Sequence, residues 1–190
     1  KLLHGELGQE SDTAALKIGD GLRNWNKLPY FGCPGYWASF WDLTSQTAVA
    51  NTPTTILLRS ADLDNSGISI SSNTIITFAY AGVYSVTFSI QFANSDTLIH
   101  DINVWLRRNG TNVVASDSRF SITSSHGGVD GNVIGTVNFV LKLAAADYLE
   151  LIWATTNAAA YIHAEAAQTS PFAHPSIPGI ICTIVQVASA

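Results

Sequence analysis

Residues 82–93 limit what this chain can fold into more than any other stretch. Tyr84, Val86, Phe88, Ile90 and Phe92 occupy every second position, and Ser85, Thr87, Ser89 and Gln91 fill the positions between. In an extended chain, alternate side chains point to opposite faces, so this spacing puts all the large apolar groups on one side. In a helix the same residues would be scattered around the axis. The stretch therefore predicts a long strand in a sheet with one face on an apolar core. A strand of that kind needs partners, and the rest of the sequence supplies them.

Residues 101–108 alternate in the same way, with Ile102, Val104 and Leu106 on one side and Asn103, Trp105 and Arg107 on the other. Asn109-Gly110 follows as a tight hairpin turn leading into residues 111–115. Residues 135–143 place Val137, Phe139, Leu141 and Leu143 together, and residues 148–154 place Leu149, Leu151 and Trp153 together. Residues 180–187 are apolar on both faces, which predicts a central strand covered on two sides. Shorter strands are expected at 40–47, 54–60, 68–71 and 74–78. Eight to ten strands in about 150 residues, with no repeat at a fixed period, indicate a β-sandwich or jelly roll. Residues 1–37 differ in texture. They are rich in Gly, Pro and aromatic residues, lack a hydrophobic period and cannot bury themselves alone; a short helix or turn is expected only at 11–18. The division is thus an irregular N-terminal arm at 1–37 and an all-β domain at 38–190.

Charged residues make up 12% of the chain, about half the usual share, against 47% hydrophobic residues. Such a chain is expected to hide surface in an oligomer, because no run approaches the roughly 18 apolar residues of a membrane span. Trp105, Val140, Ile152 and Ile184 fall at outward positions of their strands and are the expected subunit contacts. Burying each is worth roughly 1.5–3 kcal/mol. A net charge of −5 is the wrong sign for nucleic-acid backbones. Cys33 and Cys182 are too few for a disulfide scaffold. Two buried thiols are the favoured reading, and a bridge between the first and last strands is the lesser one. The chain begins with Lys1 and contains no Met, so a longer polypeptide with sequence upstream is expected.

Two resemblances add to this reading. Gly5-Glu6-Leu7, Asp12-Thr13, Leu16 through Gly21, Trp25-Asn26 and Leu28-Pro29-Tyr30 resemble a short module of bacteriophage tail-fibre proteins that precedes a receptor-binding or knob domain. Over residues 38–190, Tyr80-Ala81-Gly82-Val83-Tyr84-Ser85-Val86 and Trp105-Leu106-Arg107-Arg108-Asn109-Gly110, followed by two amphipathic strands and a closing apolar strand, resemble the complement-type globular head. That head is a ten-stranded jelly roll of the tumour-necrosis-factor-like class. The family usually carries Gly-Asp between its two late strands, where this chain has Ala145-Ala146-Asp147-Tyr148. The resemblance implies a homotrimer; the arm at 1–37 is then expected to join the domain to a shaft, with Trp25 and Tyr30 wedged between subunits.

Chemistry-bearing motifs are sparse. Asp62/Asp64 and Asp117/Asp130 sit in turn-like contexts, unlike the paired carboxylates of a glycosidase. No G-x-S-x-G nucleophile motif and no phosphate-cradling loop is present. Asp62-Leu63-Asp64-Asn65-Ser66-Gly67 resembles the start of a calcium loop but lacks the downstream Glu. His163, Glu165 and His174 are the nearest approach to a metal set, with hydrogen-bonded loop histidines the favoured reading. No catalytic residue, metal or cofactor is expected. Residues 116–132 and 155–178 are long for connections, and long loops on a rigid scaffold carry binding. Arg119, Phe120, His126, Asp130, Tyr161, His163, Gln168 and His174 are the expected receptor-binding residues. Together these readings lead to the expectation of a virion structural protein: a trimeric tail-fibre or appendage knob that attaches to host-surface glycan and is no enzyme. A capsid-decorating protein is the alternative and a polysaccharide depolymerase the weaker one. A complement-like module of animals would have a collagen-type repeat upstream, and residues 1–37 show none.

Overall fold

The structure, a computed structural model, describes residues 1–11, 16–28, 30–31 and 35–189. Two antiparallel sheets form a sandwich. In chain order the arm holds β1 (Leu7–Gln9) and β2 (Leu16–Ile18), and the sandwich begins with β3 (Trp37–Asp42), β4 (Thr54–Thr55), β5 (Ser60–Ala61), β6 (Ile68–Ser71) and β7 (Ile75–Phe78). It continues with β8 (Gly82–Asn94), β9 (His100–Arg108), β10 (Thr111–Asn112), β11 (Ser118–Ile122), β12 (Gly131–Leu143), β13 (Tyr148–Thr155), β14 (Ala160–Ile162) and β15 (Ile180–Ser189). One sheet runs β12-β8-β15-β3-β5, with β14 also on β8. The other runs β10-β9-β13-β7-β6, with β11 on β9 and β4 on β13. The topology is that of a jelly roll.

The alternation in β8 does what its spacing dictates. Tyr84, Val86, Phe88, Ile90 and Phe92 are each 0–1% exposed and meet Ile102, Val104, Leu106, Leu149, Leu151 and Trp153 from the opposite sheet. At roughly 1.5–3 kcal/mol for each large side chain buried, this layer dominates the stability of the fold. Asn109 (φ 49°) and Gly110 (φ 80°) make the expected tight turn with both residues in the left-handed region. Cys182 is a free, fully buried thiol whose pKa burial pushes up to about 12; Cys33, the other half of the bridge considered above, lies outside the described residues.

Several expectations are corrected. The sandwich contains thirteen strand segments among the described residues, against ten expected, because chain segments split between sheets. The single strand expected at 54–60 is β4 on one sheet and β5 on the other, with Ile56 and Leu58 turned into the core as the chain crosses. The supposed loop 116–132 contains β11 and the start of β12; β11 pairs with β9 from Ser118↔Val104 to Ile122↔His100. In the arm, Leu16–Ile18 is a strand rather than part of a helix, and residues 12–15 of that expectation lie outside the described residues.

The expected subunit contacts separate. Ile184 is 0% exposed and belongs to the core of its own subunit. Ile180–Val187 carries apolar residues on both faces, broken by Thr183 and Gln186, so its parity is set by pairing with β8 and β3, which turns Ile180, Cys182 and Ile184 inward. Ile152 does have outward parity, but it lies in register between Thr55 of β4 and Trp105 of β9 and is 1% exposed within its own subunit. Val140 is 62% exposed on the outer face of the six-stranded sheet. Trp105 is half-buried on the outer face of the other sheet. Among the described residues, Ile181, Val185 and Val187 on the outer side of β15 are 40–52% exposed.

The arm closes on itself. β1 and β2 pair from Leu7↔Ile18 to Gln9↔Leu16. Lys17, only 5% exposed, forms an ion pair with Glu10 at 3.1 Å, and its ammonium lies 5.0 Å from the Trp25 ring centroid and 4.3 Å from that of Tyr30. A charge buried that far needs both a counter-ion and polarisable neighbours. The tyrosine hydroxyl also donates to Glu10. Trp25 and Tyr30 therefore serve first to hold Lys17 within one chain, although Tyr30 stays 42% exposed.

Candidate receptor-binding surface

Strand register sorts the loops into two ends. Gly82 at the start of β8 pairs with Leu143 and Ser189, and Val185 pairs with Trp37, so the arm enters the sandwich and the chain leaves it at the same end. Asn94 at the other end of β8 pairs with Gly131 and Ala160. Thirteen residues at about 3.3 Å each put the two ends roughly 40 Å apart. The loops carrying most of the expected receptor-binding residues emerge from the Asn94 end.

There the structure brings three of those residues together from separate elements. β12 and β14 both flank the end of β8, which places Asp130 beside Tyr161 across 31 positions of sequence; the Tyr161 hydroxyl donates to Asp130 Oδ2 at 2.9 Å. Burial and this bond both raise the tyrosine pKa. The His163 ring stands edge-on to Tyr161 at 5.7 Å, and its Nδ1 is buried with no hydrogen-bond partner among the described residues. His126 is exposed at the tip of a hairpin, joined to Val129 by two backbone bonds across Gly127 (φ 61°) and Gly128 (φ 80°).

A second group lies on the excursion at 163–178. Glu165 pairs with Ile177 and Gln168 with His174, as the rungs of an irregular hairpin. Gln168 Nε2 donates to Glu165, and His174 Nδ1 donates to the Pro175 carbonyl at 2.8 Å. Phe172 is 67% exposed with its ring 5.6 Å from that of His174. These residues line an open groove of about 630 Å³, within the size range of ligand sites. Phe172 belongs to the long connection at 155–178 but was not among the expected receptor-binding residues, although an aromatic residue between Pro171 and Pro175 was a usable signal.

The remaining two residues sit elsewhere. Arg119 is exposed on β11, 3.8 Å from the Asp101 carboxylate, on the flank of the sheet. Phe120 is partly buried and packs against the core: its ring lies 5.2 Å from Phe92 over Gly135, where any Cβ would strike it at 2.7 Å. No group of three or more His, Cys, Asp or Glu side chains placed to hold a metal occurs among the described residues. The Asp62 segment is a turn, in which Asp62 Oδ1 accepts from the Asp64 amide and Asn65 Oδ1 from the Ser39 amide. The distal groups can thus offer aromatic faces, imidazoles, amides and carboxylates to a polar ligand.

No family model matches the chain, and no curated protein matches it. Among solved structures, the chain is similar to Eiger, a TNF from S. frugiperda, with a TM-score of 0.53 and 16% identity over 83% of this chain and 95% of that one. The fold is therefore an all-β, TNF-like jelly roll.

Proposed function

We propose that this chain is a bacteriophage virion protein, the trimeric knob of a tail fibre or similar appendage, which attaches to host-surface glycan. The observation that carries the reading is the polarity of the sandwich. The arm, with its tail-fibre-like module, joins at one end; His126, Asp130, Tyr161 and His163 lie toward the other, roughly 40 Å away, and the excursion bearing Gln168 and His174 leaves the sheet near that end, at Gln91. An adhesin needs that arrangement, because its binding end must project from whatever holds its base.

The trimer is supported by the outer face of the six-stranded sheet. Val140, Ser85, Val185 and Trp37 form one cross-strand row, and Thr136, Ser89, Ile181 and Trp41 another. Several of the polar groups between them pair with one another: Asn138 Nδ2 donates to Ser85 and Thr87, and Thr136 to Ser89. A face whose polar groups are already paired loses little when water leaves it. Three copies would present three sets of distal loops, so weak sites combine through effective concentration. No catalytic step or cofactor enters this reading.

The test is staining of a bacterial panel by the fluorescently labelled chain. It should label a subset of strains, lose that label when surface polysaccharide is stripped, and weaken with Phe172→Ala combined with His174→Ala. Labelling of no strain, or labelling indifferent to polysaccharide, would refute adhesion. Release of new reducing ends from the polysaccharide would indicate a depolymerase instead.

A further inference from the structure

We infer that Trp105 is the platform of a second saccharide-binding site, specific for uncharged sugar, on the outer face of the seven-stranded sheet. The site goes beyond the distal loops: it lies on the flank of the sandwich, midway along β9. Large aromatic groups on an outward sheet face need an explanation, and this one has three features of a built platform.

The ring is fixed. Trp105 Nε1 donates to Asn112 Oδ1 at 3.0 Å, and Ile152 lies beside it in register across the ladder. A tethered indole loses little freedom when a ligand stacks on it, so less binding energy goes into ordering it. The ring also stands between two grooves of about 300 Å³ each, and it lines both. Polar groups surround it as well. Asn103 donates both its bonds to the Asp117 carboxylate, at 2.9 and 3.1 Å, which fixes an amide and a carboxylate side by side; Asp117 lines both grooves. Asn51 and Thr156 line one of them.

That composition selects the ligand. A pyranose presents a face of C–H groups, which stacks on an indole, and a rim of hydroxyls, which bond to amides and carboxylates. No Lys or Arg lines either groove among the described residues, and the charged lining group is Asp117. Arg107, next along the same face, lies opposite Glu150. Within the two grooves a uronate or sialate would therefore meet the Asp117 carboxylate with no lining cation among the described residues, Arg119 opposite Asn103 being turned to Asp101 at 3.8 Å, whereas a neutral sugar meets only donors and acceptors.

The experiment uses the full chain on an array of bacterial surface oligosaccharides, some neutral and some bearing uronic or sialic acid. Wild type should bind neutral members; Trp105→Ala should lower the affinity at least tenfold, and Trp105→Phe should restore part of it. Leu63→Ala, at a fully exposed turn position that lines none of the grooves, should leave it unchanged. Unaltered far-ultraviolet circular dichroism and melting temperature would show that the variants fold. Equal binding by wild type and Trp105→Ala, binding to acidic glycans alone, or no binding to any member would overturn the site. So would protection of Trp105 from oxidation in a sugar-free oligomer, which would mean that another subunit covers it. The staining assay separates this inference from the adhesion reading. If cells are labelled equally with and without Trp105, the flank site fails and adhesion stands. If Trp105-dependent sugar binding occurs but no strain is labelled, adhesion fails and the site stands.

Discussion

Asp42 is fully buried at the end of β3, where a carboxylate is tolerated only if its oxygens are all engaged. Oδ2 accepts from Arg59 Nη1 at 2.5 Å and from Gln46 Nε2 at 3.2 Å, and Oδ1 accepts from the Thr44 amide at 2.9 Å. Gln46 then pairs its amide group with both backbone groups of Leu57, at 2.9 Å each, and its own backbone with Ile162. One buried charge thus links β3, the crossing segment at 56–59 and β14, which carries Tyr161. Arg59→Met removes the cation and leaves the carboxylate behind. Removing one member of a fully buried pair costs about 3–5 kcal/mol. Because the Arg59 side chain is 39% exposed and two other donors remain, about 2–3 kcal/mol is expected. Urea unfolding at fixed protein concentration should show this as a midpoint lowered by about 1 M. Asp42→Asn combined with Arg59→Met should cost less than the two single changes added, by at least about 1 kcal/mol. Exchange of the Ile162 amide should accelerate in the single Arg59 variant. An Arg59→Met protein within about 0.5 kcal/mol of wild type, or strict additivity in the double variant, would refute the network.

Ala146 holds φ +67° in the turn before β13, at the place where the resembled family carries Gly. Ala146→Gly relieves the left-handed strain and should stabilise the protein by about 0.5–1 kcal/mol in thermal melts, after the entropy of the unfolded glycine is subtracted. Burial would raise the Asp147 pKa, but the Asn109 side chain, the Ala144 amide and the Arg108 guanidinium outweigh it and hold the carboxyl below its ordinary value. Its contribution to stability is therefore complete above pH 5 and lost as pH falls through the lowered pKa. Asp147→Asn should lie well below wild type in stability at pH 7 and approach it in denaturation series toward pH 2. Lys17→Met should raise hydrogen exchange in the arm about 30-fold, from a loss of about 2 kcal/mol of pairing and ring contact, while the melting of the sandwich stays unchanged.

The strands that could be read from sequence are those in which burial alternates. β8 shows each large apolar residue at a spacing of two, and β9 and β13, which face it from the other sheet, nearly so. Legibility ended where the pattern stopped alternating. Ile180-Ile181-Cys182 and Ile184-Val185 are apolar at consecutive positions, so nothing local says which side is the core, and only the pairing register decides. β11 escaped notice because Ser118-Arg119-Phe120-Ser121 looks like a loop, yet its ladder to β9 is made by backbone groups that need no apolar side chain. Lys17 was illegible for a related reason. A buried lysine is rare, and its partners Glu10, Trp25 and Tyr30 lie up to 13 positions away. The Asp130–Tyr161 bond depends on two strands sharing one end of β8, which neither segment reveals alone. The residues expected to bind were largely found on the distal loops. Asn103 and Asp117 looked like an ordinary strand residue and an ordinary turn residue until β9 and the following loop put them beside Trp105.

The mass in solution tests the central proposal, that identical copies cover the outer face of the six-stranded sheet and hold three sets of distal loops in parallel. Ile181, Val185, Val187 and Val140 are 40–62% exposed in one subunit, so covering them is worth about 3–6 kcal/mol per subunit. Sedimentation equilibrium at micromolar concentration should give three times 20.3 kDa for wild type. Val185→Glu should give 20.3 kDa with an unchanged β-sheet spectrum. A wild-type mass of 20.3 kDa, or a trimer indifferent to Val185→Glu, would contradict the account.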